Sequence, residues 1–197
     1  MRYGLETRTA PTTEPVDTAD AKQHLRVDTS DDDTYIDGLV MAARMRVEEY
    51  LQRALITTEY TMKVDQFSAD VIFLPRSPVQ SVDEIRYIDD GGVQQTLAPS
   101  KYRADLTSTT PRITAAYSET WPTTRPIMNA IEVDFTAGYG DSASDVPEPI
   151  RQAIRILVGT WYDDGRSAIQ IGSVASALPK TADYLLGPYR TGFQYGV

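Results

Sequence analysis

The strongest constraint on the fold is one long amphipathic pattern near the start of the chain. Apolar residues recur there every three or four positions, as along one face of an α-helix; they are Ile36, Leu39, Val40, Ala43, Val47, Tyr50, Leu51 and Ala54. Ser30 and Asp33 are spaced as a capping box, and the acidic residues 31–33 suit the positive end of a helix dipole. The sequence therefore predicts a helix over residues 31–54 whose apolar face is covered by another element.

A second pattern of the same kind predicts the partner of this helix. Between residues 148 and 163 the apolar positions again follow a helical period, after two prolines and before a glycine; they are Ile150, Ala153, Ile154, Leu157, Val158 and Trp161. We expect the two stripes to pack on each other, with Tyr50 and Trp161 burying the largest areas. Two shorter helices are expected at 17–26 and 181–186.

Between the long helices the pattern changes to the two-residue alternation of half-buried strands. It is clearest at Tyr60–Met62–Val64 and at Ile131–Val133–Phe135. Asp90–Gly91–Gly92 supplies the residue types of a hairpin turn. The sequence therefore predicts an antiparallel β-section over residues 57–136.

These elements define an α+β fold. We expect a helical core of two long amphipathic helices plus short helices, an inserted small antiparallel β-section, and extended terminal arms. Residues 1–15 are polar and without periodicity, and are assigned to an N-terminal arm; residues 16–165 are assigned to a single domain. Residues 166–197 form the predicted C-terminal arm, which includes the short helix 181–186 and several aromatic residues.

Composition excludes several classes of function. The 197 residues include no cysteine and one histidine, so disulfides and thiolate metal sites are ruled out. A formal net charge of −9 argues against a protein that holds DNA through phosphate contacts, although an acidic protein can surround DNA without holding it. A targeting segment is not expected, because the N-terminal residues lack an apolar h-region. A membrane span is not expected either, because apolar runs of about 20 residues are missing from the sequence.

The search for a catalytic, cofactor or metal site finds no candidate. His24 has no second histidine to join it, so we interpret it as a surface or helix-end residue. The carboxylates at 31–33 lack the spacing of a calcium loop and are better explained as helix capping. Residues 163–165 suit a turn after a helix, and the glycines at 138 and 140 are not followed at once by the helix of a phosphate loop.

Several segments, taken in order, resemble one known family. They are AKQHLRVD from residue 21, DDDTYIDGLVMAARMRVEEYLQRAL from 31, LPRSPVQSVDEIRYID from 74, WP at 121, FTAGYG from 135, VPEPIRQAIRILVGTWYDDG from 146 and LLGPYR from 185. Together they look like the head-tail connector (adaptor) proteins of long-tailed bacteriophages and gene transfer agents. The resemblance extends from about residue 16 to 190. It departs from the family at 163–165, where similar proteins often have an Asn-Arg-Glu run.

The resemblance implies a structural and non-enzymatic role in the virion. Such proteins assemble in the host cytoplasm and occupy the neck, where a cyclic ring, dodecameric in the particle, lies under the portal protein. The ring extends the DNA channel without binding DNA specifically and offers a platform to the next neck (stopper) or tail protein. No cofactor and no membrane are implied. Two alternatives stay open: another neck component, such as a head-completion, stopper or tail-terminator protein, and more distantly a small carboxylate-dependent hydrolase.

Two surfaces are predicted to make the contacts of such a ring. The C-terminal segment is dense in apolar residues for a chain end, so we expect it to bind the portal through Tyr184, Leu185, Leu186, Pro188, Tyr189 and Phe193. The face of the first long helix opposite its apolar stripe is expected to meet the neighbouring subunit through Asp37, Arg44, Glu48 and Arg53.

Overall fold

A computed structural model describes residues 3–67, 71–163 and 178–191. The fold is α+β, as predicted. Contacts group the chain into two compact units, whereas the sequence suggested one domain over 16–165. The β unit comprises the described residues of Met1–Pro11, Gln52–Tyr139 and Thr191–Val197, and the helical unit those of Thr12–Leu51 and Gly140–Arg190.

The helical unit contains four α-helices among its described residues: α1 (Thr18–Leu25), α2 (Asp33–Leu51), α3 (Glu148–Asp163) and α4 (Lys180–Leu186). The predicted pairing of the long helices is confirmed, because α2 packs against α3. Helix α1 contacts both, and α4 packs on α3. The fully buried positions are the smaller aliphatic residues of the two stripes, and Tyr50 and Trp161 are partly buried.

The ends of α1 and α2 have local causes. Asp17 caps α1, since its carboxylate accepts the backbone N–H of Asp20 at 2.7 Å. Helix α2 ends at Leu51 rather than at residue 54, because Gln52 adopts a left-handed conformation with φ of 55°. A non-glycine residue in that conformation gives no signal in the sequence.

The acidic run at the start of α2 connects helices, a role beyond the expected capping. The Lys22 ammonium group lies 2.6 Å from a carboxylate oxygen of Asp33, which joins α1 to α2. The Tyr162 hydroxyl donates to the Asp32 carboxylate at 2.8 Å, which joins α3 to α2. The start of α2 is thereby attached to both neighbouring helices.

The β unit contains two antiparallel sheets. Their strands are β1 (Gly4–Thr9), β2 (Thr58–Val64), β3 (Ile72–Phe73), β4 (Val79–Ile88), β5 (Gln94–Thr96), β6 (Tyr102–Asp105), β7 (Arg112–Ala115) and β8 (Ile131–Ala137). The larger sheet has the order β1-β2-β8-β4-β5 and the smaller one the order β3-β7-β6. The antiparallel section is confirmed, including the β4–β5 hairpin, in which Gly92 has φ of +83°.

The β unit has a hydrophobic core of its own, which the sequence assigned to the helices. Buried residues from both sheets form one cluster; its members include Met62, Val64, Ile72, Ile85, Ile113, Ile131, Val133 and Phe135. The rings of Tyr60 and Phe135 stack with centroids 5.5 Å apart. Trp121, from the WP motif, stacks on Phe67 at 4.7 Å and covers the edge of the cluster. The β-section is therefore an independent packing unit.

The predicted N-terminal arm is corrected by the structure. Residues 4–9 form β1, an edge strand that pairs antiparallel with β2 and places Leu5 opposite Met62. The strand was not recognised because most of its side chains are exposed, and Leu5 is its one partly buried apolar residue. Backbone pairing fixes this segment, and such pairing leaves little trace in composition.

Candidate interaction surfaces

The part of the chain that is described was searched for side chains grouped as metal ligands are. No group of three or more His, Asp or Glu side chains is placed there to hold a metal ion. His24 is exposed in the last turn of α1, in agreement with its interpretation from sequence. Among the described helices, none has the length and apolar character needed to cross a bilayer.

The face of α2 proposed for subunit contacts is not a free surface. Arg44 and Glu48 are each only 8% exposed. The Arg44 guanidinium contacts Glu14 at 2.7 Å and Glu48 at 2.8 Å. Burial by itself would lower the pKa of Arg44, but hydrogen bonding to Glu14 and the nearby carboxylate charges raise it overall. These two residues hold the segment before α1 against α2, and the prediction that they face a neighbour is corrected.

The other two residues of that prediction belong to different units. Asp37 is exposed on α2 and accepts a hydrogen bond from the Thr18 hydroxyl. Arg53 follows the end of α2 and belongs to the β unit, where its backbone pairs with Arg76 and Ser77. The four residues therefore do not form a single face of α2. The helical extension to residue 54 was the reason they appeared to share a face.

A groove in the helical unit lies beside Asp37. It has a volume of about 650 Å³, and its lining includes Val16, Val40, Met41, Asp17, Asp37 and Asp141. Met41 is 50% exposed, and Met45, one turn further along α2, is 57% exposed. Sequence reasoning missed this surface, although two methionines four positions apart and outside the apolar stripe were a visible signal.

A cluster of ion pairs fixes one wall of the groove. Arg155 of α3 contacts Asp20 and Glu148, each at 2.6 Å, and Arg151 donates to the backbone carbonyl of Pro15 at 2.9 Å. Hydrogen bonding to Asp20, opposed by burial, raises the pKa of Arg155. Because these contacts attach residues 15–20 to α3, this wall of the groove is held in place from inside the unit.

The C-terminal segment proposed for portal contact divides into buried and exposed residues. Leu186 and Ala182 are fully buried where α4 packs on α3. Tyr184 is 84% exposed, Pro188 is also exposed, and Leu185 and Tyr189 are partly buried. The prediction for Leu186 is therefore corrected, since it belongs to the core. Phe193 lies outside the described residues.

The end of α4 is attached to α2 through Tyr50. The Tyr50 hydroxyl donates to the Asp183 carboxylate, and the Arg190 guanidinium lies 4.7 Å from the centre of the Tyr50 ring. Hydrogen bonding to Asp183, together with burial, raises the pKa of Tyr50. These contacts fix where the chain leaves the helical unit after Arg190.

The outer face of the larger sheet is covered by ion pairs. Asp134, at 2% exposure, accepts from the Thr61 hydroxyl at 2.6 Å and contacts Arg8 at 2.8 Å and Arg86 at 2.9 Å. Carboxylates outnumber the cations of this network; they are Glu6, Glu59, Asp83, Glu84, Glu132 and Asp134, against Arg8, Lys63 and Arg86. All three cations are engaged with carboxylates of their own unit.

A loop between β7 and β8 presents apolar side chains to solvent. Ile127 is 45% exposed and Met128 is 84% exposed. The loop is fixed on both sides, since the Arg125 N–H donates to the Ile88 carbonyl at 3.0 Å and the Asn129 N–H donates to the Asp65 carboxylate at 2.9 Å. Its tip is therefore held out from the β unit.

Comparison with known proteins gives these surfaces a context. The sequence profile of the head completion protein family matches residues 16–191. The chain belongs to the head completion protein family. The family match covers the stretch in which the sequence resembles connector proteins, and that resemblance is confirmed. No curated protein matches this head completion protein.

Solved structures with the same fold come from gene transfer agent particles. A chain from the neck of an empty particle, computed with C6 symmetry, has a TM-score of 0.79 and 26% identity, with 98% of both chains covered. A chain from the virion of a native particle has a TM-score of 0.76 and 27% identity, again over 98% of both. A chain from the neck of a native particle, computed with C12 symmetry, has a TM-score of 0.67 and 25% identity, over 100% and 99%.

Proposed function

We propose that this head completion protein is a structural component of the virion neck. Copies form a closed ring under the portal protein, extend the DNA channel, and give the next neck or tail protein its docking platform. The observation that carries the proposal is the likeness to neck chains of gene transfer agent particles over 98% of both chains at 26% identity. The family and these neighbours are virion proteins, which argues for a role without catalysis.

Ring formation is supported by the symmetry of the related necks. Those assemblies were computed with C6 and C12 symmetry. A ring with more than two subunits needs a heterologous interface, in which two different patches of one chain meet. The described residues expose distinct apolar patches, in the groove of the helical unit and on the loop of the β unit, that could meet this requirement.

The charge of the chain supports the proposal that the channel does not retain DNA. The chain carries a formal net charge of −9. On the outer face of the larger sheet, Arg8, Lys63 and Arg86 are each bound to carboxylates within the unit. A protein binds DNA through cations that replace the counterions of the phosphates. Cations that are already paired with carboxylates are poorly suited to that role. DNA would then pass such a ring without being held by ion pairs.

Contact with the portal is assigned to the exposed part of the C-terminal segment. Tyr184 and Pro188 are exposed, and Leu185 and Tyr189 are partly so. Phe193 stays in the proposal from sequence alone. Removal of residues 181–197 would be a poor test, because it would also remove buried Leu186. The cleaner variants are Tyr184→Ala and a chain that ends after residue 191.

The proposal is tested by the mass of the purified protein with and without portal rings. We expect a small species alone and a closed ring of copies on the portal, with Tyr184→Ala and the chain ending at residue 191 weakened in attachment. The control is Val93→Ala, which changes an exposed apolar residue of the β4–β5 turn. If the unaltered protein fails to join portal-containing heads, the proposed function is wrong.

A second candidate is a different layer of the same neck. The family is described by head completion rather than by portal binding, which favours a layer that closes the filled head. Electron microscopy of particles with a label on this chain separates the two positions. Density directly on the portal supports the adaptor role, and density one layer further from the head supports a stopper.

A further inference from the structure

We propose that the groove of the helical unit receives the tip of the β7–β8 loop, residues 125–128, from a neighbouring copy of this chain. The inference rests on the proposed function, because it specifies the interface by which the ring would close. The groove supplies apolar and acidic groups, and the loop supplies apolar groups and a cation.

The groove is acidic around an apolar floor. Val16, Val40 and Met41 contribute the floor, and Asp17, Asp37 and Asp141 are exposed carboxylates at its margin. Among the described residues that line it, none is lysine or arginine. An isolated apolar side chain would find contact area there, and a cation beside it would be attracted to the carboxylates.

The groove is preformed on one side and adaptable on the other. Arg44 binds Glu14 and Arg151 binds the Pro15 carbonyl, so the segment that enters α1 is fixed from within the unit. On the α2 side the groove is lined by Met41, which is half exposed, and the exposed Met45 follows one turn further along the helix. Methionine side chains are flexible and polarizable, and can adjust their shape to an incoming residue.

The loop has the features of a preorganised ligand. Its tip carries Ile127 and Met128, and the hydrogen bonds of Arg125 and Asn129 hold the backbone on either side. Arg125 is exposed, and its guanidinium lies over Gly92 of the β4–β5 turn. Because the backbone is already ordered, binding would lose little conformational entropy.

Two arguments pair these surfaces with each other. A closed ring requires two different patches, which is the relation between the groove and the loop. Of the eight large apolar side chains exposed by the described residues, Met41 lines the groove, Met45 lies one helical turn from it, and Ile127 and Met128 form the loop tip. The charges are also opposite in sign, since the cation of Arg125 would approach the carboxylates of Asp17, Asp37 and Asp141.

Reversal of the charge at Arg125 gives the first test. Arg125→Glu should lower the yield of rings assembled on portal by roughly tenfold, because it adds a carboxylate to an acidic groove. Arg125→Lys, the matched control, should assemble nearly as well as the unaltered chain. Combination of Arg125→Glu with Asp37→Arg should restore most of the yield. Normal ring yield with Arg125→Glu alone would overturn the pairing.

Cross-linking gives the decisive test, because the chain contains no cysteine of its own. Particles are assembled with a chain carrying both Met41→Cys and Met128→Cys, and treated with a short bis-maleimide. We expect a ladder of cross-linked oligomers that ends at the closed ring. Each single variant should give no ladder, and neither should the control pair Met41→Cys with Phe73→Cys, which places the second cysteine at an exposed apolar residue of β3.

The outcomes separate this inference from the proposed function. Necks that contain the double variant but yield no ladder overturn the groove-to-loop pairing and leave the neck role standing. Dimers from Met41→Cys alone would mean that grooves face each other, and would also overturn it. A chain that never enters the neck overturns the neck role and this inference with it.

Discussion

In the β unit the buried carboxylate of Asp134 lies on a sheet whose strands are already fixed by backbone hydrogen bonds. In the helical unit, buried charges attach segments that no backbone hydrogen bonds of a sheet hold in place. There Arg44 binds Glu14 and Arg155 binds Asp20, and both carboxylates lie close to the start of α1. The β unit should therefore depend most on its backbone geometry, and the helical unit most on particular side chains.

Gly138→Ala should have the largest effect and would show how strictly the backbone of the β unit is constrained. Gly138 has φ of +132°, and an added Cβ would lie 2.5 Å from the carbonyl carbon of Ile56. We expect the free energy of unfolding to fall by about 4 kcal/mol in denaturant titration. The glycine belongs to the FTAGYG segment, so this requirement is a physical reason for that motif.

The matched control is a glycine in the helical unit. An added Cβ at Gly38, in the middle of α2, meets nothing within 4 Å. Gly38→Ala should raise the free energy of unfolding by about 0.5–1 kcal/mol. If both glycines tolerate alanine equally, the contrast between the two units does not hold.

Leu186→Ala should rank second and would show how far α4 belongs to the core of the helical unit. Leu186 is fully buried, so its truncation leaves a cavity and should cost about 3 kcal/mol of unfolding free energy. Tyr184→Ala, two residues earlier, removes a side chain that is 84% exposed and should change stability by less than about 0.5 kcal/mol. Thermal unfolding of the two variants in parallel is the measurement. Equal losses would mean that Tyr184 also packs in the unit.

Arg44→Met should lower the free energy of unfolding by about 2 kcal/mol, because it removes the cation that neutralises buried Glu48 and contacts Glu14. The combination with Glu48→Met should recover most of the loss. In the β unit, Arg8→Met should cost less than about 1 kcal/mol, because Arg8 is more exposed and Asp134 keeps its contacts with Arg86 and Thr61. Denaturant titration of the three variants compares the units directly. An Arg8 variant as damaged as the Arg44 variant would remove the distinction between them.

The sequence was sufficient to predict the elements with strong periodicity. It was insufficient to predict the elements that are determined by backbone geometry. The stripes of α2 and α3 were recognisable because burial repeats every three to four residues. Strand β1 was not recognisable, since an edge strand with exposed side chains can be specified by its hydrogen bonds alone.

The surfaces were harder to predict than the fold. Arg44 and Glu48 looked like solvent-exposed charges, because helical spacing cannot reveal that Glu14 of the same chain pairs with Arg44. Leu186 looked like part of an apolar tail, although it is a core residue of α4. Both errors concern tertiary contacts between segments distant in sequence, for which local pattern holds no information.

The smallest expected change in stability comes from two carboxylates in turns, one in each unit. Their substitution would show whether low pH destabilises both units to the same extent. In the helical unit the Asp145 carboxylate accepts the backbone N–H of Ser142 and then its hydroxyl, which lowers the pKa of Asp145. In the β unit the Asp89 carboxylate accepts the Val93 N–H and the Gln95 amide, which lowers the pKa of Asp89.

A carboxylate with a lowered pKa in the folded state contributes stability above its unfolded pKa of about 3.9, and that contribution is lost as the pH falls through the folded value. Asp145→Asn and Asp89→Asn should therefore each be slightly less stable than the unaltered chain at pH 7, and the difference should close at acid pH. Urea titrations across this pH range provide the measurement, with Ser142→Ala as a control that retains the backbone N–H and should show a smaller gap. Because backbone donors lower the pKa of the carboxylate in both turns, the two differences in stability should be similar in size. A much larger difference for Asp145→Asn would mean that the helical unit depends on charge even at its surface.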